Sequence, residues 1–215
     1  MAWFRFALPQ RFPFCWWVAL VLDHYSRRVL GFSVYESQPS GTALRRLLGR
    51  VIGNVKASPK YLITDKGKQF WRNAGYQAWC AQCQIKPRFG AVGKQGSIAV
   101  IERFFLTMKD GCTRRIVVPL NREGLQRELK LFFHWYNALR PHSSLQGRAP
   151  DEVYSQRKAV NQKPRIEPRK HWPRDSTCAK PRTLVAGQPG DKFVLNIDYY
   201  QGRKHLPVVT LRRAA

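Results

Sequence analysis

Two apolar runs of strand type, residues 16–22 and 29–36, stand on either side of the short polar stretch Asp23-His-Tyr-Ser-Arg-Arg28. In the second run Val29, Gly31, Ser33 and Tyr35 alternate with Leu30, Phe32 and Val34. A period of two over such lengths is the signature of a strand, and so short a tie makes the pair a β-hairpin. The period then switches. Leu44, Leu47, Leu48, Val51, Ile52 and Val55 recur at threes and fours, which predicts an amphipathic helix over residues 40–56 with Ser40 as its cap. After Pro59, residues 61–64 read as a short buried strand ending in Asp65 and a tight glycine turn. Hairpin, helix and strand thus follow one another along this stretch.

The rest of the chain continues the alternation. A helix is predicted over residues 73–84, a short strand over 86–89, and a long Leu- and aromatic-rich helix over 122–139, stopped by Pro141. Between them, residues 90–110 begin with a glycine-rich loop (Gly90, Gly93, Gly96) and run into a helix capped by Ser97. Ile98, Ile101, Phe105 and Met108 form its buried stripe. Glu102 and Lys109 lie off that stripe, about two turns apart and facing the same way. A carboxylate and an ammonium on one helix face suit a metal beside a phosphate; taken alone, the stretch reads better as a solvated helix face with a surface Glu. Asp65 is the other acid of interest, because the carboxyl end of a buried strand is where α/β folds present ligand groups. Residues 1–13 are aromatic and proline-broken and give no clean pattern.

Charge narrows the partner. The chain of 215 residues carries 38 Lys and Arg against 13 Asp and Glu, a formal net charge of +25. Such an excess points to a polyanion, with nucleic acid first. The longest apolar run, residues 14–22, is too short to span a bilayer, and no basic amphipathic helix is placed to lie on one. No secretory signal is legible, so a cytoplasmic location is expected. The five cysteines are scattered and odd in number, which argues against a disulfide framework. Cys80 and Cys83 have metal spacing but no second pair, and they fall on a helix face as core residues.

The motifs together resemble a known family. Strand-Asp65-x-Gly-x-x-Phe70 is followed, after an interval of 36 residues, by Glu102-Arg-Phe and then Lys109 on a helix. Trp135-Tyr-Asn-x-x-Arg140-Pro-His142, then Leu145-x-Gly147-x-x-Pro150, closes the series. Residues 16–154 in this order resemble the catalytic core of insertion-sequence DDE transposases and retroviral-type integrases. The resemblance implies an α/β, RNase H-like core, with a mixed sheet flanked by helices. It implies metal-dependent DNA cleavage and strand transfer in transposition or integration. Asp65 and Glu102 would be catalytic and would hold Mg²⁺ or Mn²⁺. DNA, as element ends and target, would be the partner, with no membrane and a possible homo-oligomer. Lys94, Arg103 and Lys109 are candidate DNA contacts, with ordinary surface bases as the alternative.

The family uses a third acid, in the middle of its first strand. Asp23 is the nearest upstream acid, but it lies in the connection that resembles the family's second-to-third strand turn, which commonly carries a non-catalytic Asp-x-x-Ser. Nothing acidic precedes it. The chain therefore reads as an N-terminally truncated core that lacks its first strand, with two strand edges left open unless residues 3–8 substitute. The expected function is a catalytically impaired transposition protein; the alternative is a basic nucleic-acid-binding protein without catalysis. The expected organisation is a core over 1–155, a basic proline-rich linker over 156–182 and a small β-rich segment over 183–215. The linker's charge can follow a phosphate backbone or serve only as a soluble tether.

Overall fold

The computed structural model describes residues 2–7, 15–90, 98–157 and 193–213. The chain divides into two compact units, Met1–Asn137 and Ala138–Ala215.

In the first unit, β2 (Cys15–Leu22) and β3 (Val29–Tyr35) form the expected hairpin, paired antiparallel with Ala19 opposite Ser33 and Leu20 opposite Phe32. The register divides the side chains between two layers. Ala19 and Val21 face helix α1 (Gly41–Val55), whose Leu44, Leu47, Leu48 and Val51 are buried against them. Gly31 and Ser33 share that face: Val51 packs on Gly31, and the Arg50 guanidinium donates to Ser33 Oγ at 2.7 Å. The opposite face meets helix α4 (Arg122–Ala138) through Phe32, which packs edge-to-face on Phe133 at 4.7 Å, and helix α3 (Ala99–Met108) packs on α4 in turn. Phe104 extends this cluster to Phe133 and Tyr136. Such ring pairs add about 0.5–1.5 kcal/mol each beyond their burial, so the cluster is a principal anchor of that layer.

Local signals place the helices. Ser40 Oγ accepts from Ala43 N–H at 3.2 Å, the predicted N-cap of α1. Asn73 caps α2 (Ala74–Gln82) in the same way, accepting from Tyr76 N–H at 2.8 Å. Helix α3 starts differently from the expectation. Ile98 occupies its N-cap position and no side chain caps it, while Ser97 lies outside the described residues. Its predicted stripe is buried throughout, and Phe104 joins it. At its end the helix loosens into a π turn, Lys109–Thr113, where Gly111 lies close against the Phe132 ring.

The N-terminal stretch takes the place of the surrogate strand considered for residues 3–8. The edge of β2 is not left open: β1 (Ala2–Ala7) pairs antiparallel along it, Trp3 opposite Ala19 and Phe6 opposite Trp16. The segment that gave no clean pattern is a strand because β2 offers it a continuous row of backbone groups, which tertiary pairing can exploit without a local signal. β1 contributes no acid. Among the described residues β4 (Tyr61–Thr64) pairs in parallel with β5 (Lys86–Phe89) only, beside the three-stranded piece β1-β2-β3.

The second unit contains a bridge between His142 and Arg148, the short helix α5 (Pro150–Tyr154), and an antiparallel hairpin of β6 (Phe193–Tyr199) and β7 (Pro207–Arg213). The buried Glu152 carboxylate reaches back to Ala149 N–H at 2.7 Å and closes the first turn of α5. The expected linker falls largely outside the described residues.

Candidate active site

Asp65 follows β4 directly and is half-buried. The turn after it is organised by one residue. Gly67 N–H donates to Asp65 Oδ1 at 3.1 Å, while Gly67 C=O accepts from Phe70 N–H and Trp71 N–H at 2.9 and 2.8 Å. A Cβ at position 67 would lie 3.0 Å from Asp65 Oδ1, so any other residue there would push the carboxylate aside by a few tenths of an ångström. Phe70, completely buried, locks the turn to the core by packing on Tyr76. The sequence spacing Asp-x-Gly-x-x-Phe is thus a carboxylate, its orienting N–H and its anchor.

Behind this turn, burial pushes the Tyr76 hydroxyl well above its ordinary pKa, and the neighbouring Cys80 adds to the shift. Burial likewise raises the Cys80 thiol. Cys80 is therefore a protonated core group rather than a nucleophile or ligand, as expected of a buried cysteine. Cys83 is a free thiol too.

Glu102 is exposed in the first turn of α3, where the positive end of the helix dipole favours an anion. Arg103 is exposed beside it, and Lys109 is half-buried at the start of the π turn. Lys109 N–H still bonds to Phe105 C=O in the α-helical pattern, and the π turn begins only there. Lys94 lies outside the described residues.

Asp23 has another occupation. Its Oδ2 accepts from Ser26 N–H at 2.8 Å and from Ser26 Oγ–H at 2.6 Å, and its own N–H donates to Arg28 C=O. This is an Asx-type turn that closes the β2–β3 connection. Among the described residues no three His, Cys, Asp or Glu side chains form a group able to hold a metal, so Asp23, Asp65 and Glu102 are not gathered together. Asp65 and Glu102 fit Mg²⁺ or Mn²⁺ in kind, as hard oxygen donors. They fall short in number of the three-acid set expected for a metal pair.

Two features were missed in the sequence. Asn137 grips β3 at both backbone groups of Val29, accepting from its N–H and donating to its C=O, each at 2.9 Å. A polar residue at the end of an apolar helix was the available signal. Trp71, beside the Phe70 anchor, is 38% exposed, which its aromatic character alone did not foretell.

Two models described as an integrase core domain match the chain, one over residues 3–95 and one over 83–150. The transposase for insertion sequence element IS904 of Lactococcus lactis subsp. lactis (strain IL1403) is 24% identical over 137 residues, covering 63% of this chain and 53% of that protein. The chain thus spans about half the length of this curated relative. Among solved structures, a chain of the simian T-cell lymphotropic virus intasome in complex with PP2A regulatory subunit B56 gamma superposes with a TM-score of 0.56 at 13% identity, over 99% of this chain and 68% of that one. The catalytic core domain of BIV integrase gives 0.52 at 19% identity, over 72% and 93%. The HTLV-2 integrase catalytic core in complex with magnesium, in a trimeric form, gives 0.52 at 16%, over 71% and 94%. These structural likenesses establish the fold.

Among the described residues no helix is long and apolar enough to cross a membrane.

Proposed function

This chain contains a DDE transposase/integrase catalytic core, and from that premise we propose that it binds the DNA of a mobile element and, by itself, does not complete strand transfer. The family acts in DNA transposition and integration and depends on divalent metal. Metal ions in such chemistry activate the attacking oxygen and stabilise the leaving one. In this reading Asp65 and Glu102 are the residues that would hold the ion. Lys94, Arg103 and Lys109 would contact phosphate, element ends and target DNA would be the partners, and relatives of this kind suggest a homo-oligomer.

The observation that carries the impairment is the Asp23 carboxylate, engaged by two donors from Ser26 in a strand connection. A ligand moved from that turn would leave the Ser26 N–H and hydroxyl without their acceptor, at a cost of about 1–3 kcal/mol for a buried group. Ser26 is almost completely buried. Asp23 is therefore held as a turn residue, and the chain supplies two of the family's three acids.

The test has two parts. Fluorescence anisotropy against salt should show duplex binding that weakens steeply as salt rises, because neutralised phosphates release counterions. A flat salt dependence defeats the DNA reading. A joining assay with the parent element's ends and Mg²⁺ or Mn²⁺ should show no product for this chain, and product once an Asp-bearing strand is added ahead of it. Product from the chain alone, abolished by Asp65→Asn and by Asp23→Asn alike, would make Asp23 a ligand and defeat the impairment.

A further inference from the structure

The turn that orients Asp65 also presents an aromatic ring to solvent. Phe70 makes the core contact of this turn, at 0% exposure, while the next residue, Trp71, is 38% exposed. The indole is nevertheless held: Phe89 at the end of β5 meets it edge-to-face at 4.9 Å and 88°. Its backbone N–H donates to the carbonyl of Gly67, the residue whose own N–H holds the Asp65 carboxylate. Lys66 Nζ stands 5.2 Å and Arg72 Cζ 6.0 Å from the ring centre. Both bases are exposed, as is Lys68. Arg72 takes a left-handed conformation, φ 55°, which a non-glycine residue adopts at a steric cost.

We propose that Trp71, flanked by Lys66 and Arg72, is a stacking site for an unpaired DNA base beside Asp65. The inference rests on the DNA reading above and adds to it the class of DNA recognised. An anchored, part-exposed indole offers a planar surface that any base can stack on, and adjacent cations meet the phosphates on either side of that base. A tryptophan serving only as a lid on Phe89 requires neither exposure nor two cations. Tyr61, 37% exposed at the other end of β4, is a weaker candidate because the Arg88 guanidinium already stacks on its ring at 3.8 Å. The cations at Trp71 stand farther off, at 5.2 and 6.0 Å, on exposed side chains that can swing aside for a base. The position matters: a base held here is unpaired next to the carboxylate, as at a frayed or cut strand end.

The test compares blunt duplexes with duplexes of equal phosphate number that end in a short unpaired strand. The full chain should prefer the unpaired end by roughly tenfold, within the range for one base stacked on an aromatic residue. Trp71→Ala should abolish the preference and leave blunt-duplex affinity and its salt dependence unchanged, and Trp71→Phe should retain part of it. Independently of any variant, 5-iododeoxyuridine at the unpaired position should photocrosslink to the tryptic peptide of residues 69–72; circular dichroism checks that each variant is folded. If Trp71→Ala does not fold, the crosslink and Trp71→Phe decide. A preference that survives Trp71→Ala, or a crosslink elsewhere, overturns the stacking site while the DNA reading stands. Failure of the unaltered chain to bind either duplex overturns both.

Discussion

Gly31→Ala should unfold this core more easily, by an amount the α1–β3 contact sets. A Cβ at Gly31 would lie 2.4 Å from Val51 Cγ2, against a preferred carbon–carbon separation of roughly 3.5–4.0 Å. Val51 cannot easily yield. It is β-branched in a helix, where about 90% of such side chains keep one rotamer, and it is 5% exposed among the core residues of α1. Overpacking of this kind costs about 1–3 kcal/mol. Against it stands a gain of about 0.5–1 kcal/mol from removing a flexible glycine from a strand. Taking the middle of both ranges, the net expectation is a destabilisation of about 1 kcal/mol. Val51→Ala alone should also destabilise, since two buried methyl groups are worth about 0.8 kcal/mol each before any cavity cost. The double variant removes the clashing atom, so it should be more stable than the sum of the two single effects by about 1 kcal/mol. Urea denaturation followed by circular dichroism measures all three. The reasoning is refuted if Gly31→Ala lies within about 0.5 kcal/mol of the unaltered chain, or if the two changes simply add, as independent sites do.

Asn137→Ala should cost about 2–4 kcal/mol in the same denaturation experiment, because it leaves two Val29 backbone groups without partners; a loss under 1 kcal/mol would mean that water replaces the amide. Gly67→Ala should leave the urea midpoint nearly unchanged, since the new Cβ meets only the movable tips of Asp65 and Gln69. It should weaken Mn²⁺ binding several-fold, read by electron paramagnetic resonance; unchanged binding would remove Asp65 from the ligand set. Tyr76 gives a pH signature. Its folded pKa is raised above the ordinary value of about 10, so its contribution is complete below that pH and is lost as pH rises past it, when the unfolded chain ionises first. Urea midpoints should therefore fall above about pH 10 more steeply for the unaltered chain than for Tyr76→Phe, and equal slopes would refute the burial of the phenol.

Periodicity alone determined most elements of the first unit. Ser40 and Asn73 cap the helices they precede because a cap is a local hydrogen bond, legible from residue type and position. The stripe from Ile98 to Met108 is buried because helix geometry puts those residues on one side whatever lies opposite. The Asp65 turn was legible for the same reason: its carboxylate, glycine and anchor are a few residues apart. What tertiary structure decided lies in contacts between distant segments. The strand Ala2–Ala7 has no pattern of its own and exists through its ladder to β2. The narrow approach of α1 to β3 depends on Gly31 meeting Val51, and the hold of α4 on β3 depends on Asn137 meeting Val29. The role of Asp23 was decided partly each way. Sequence placed it in a connection, and the structure shows its carboxylate satisfied there by Ser26. A local pattern can place a residue in its element, but only the folded neighbourhood determines which donors reach its side chain and so which other work it is free to do.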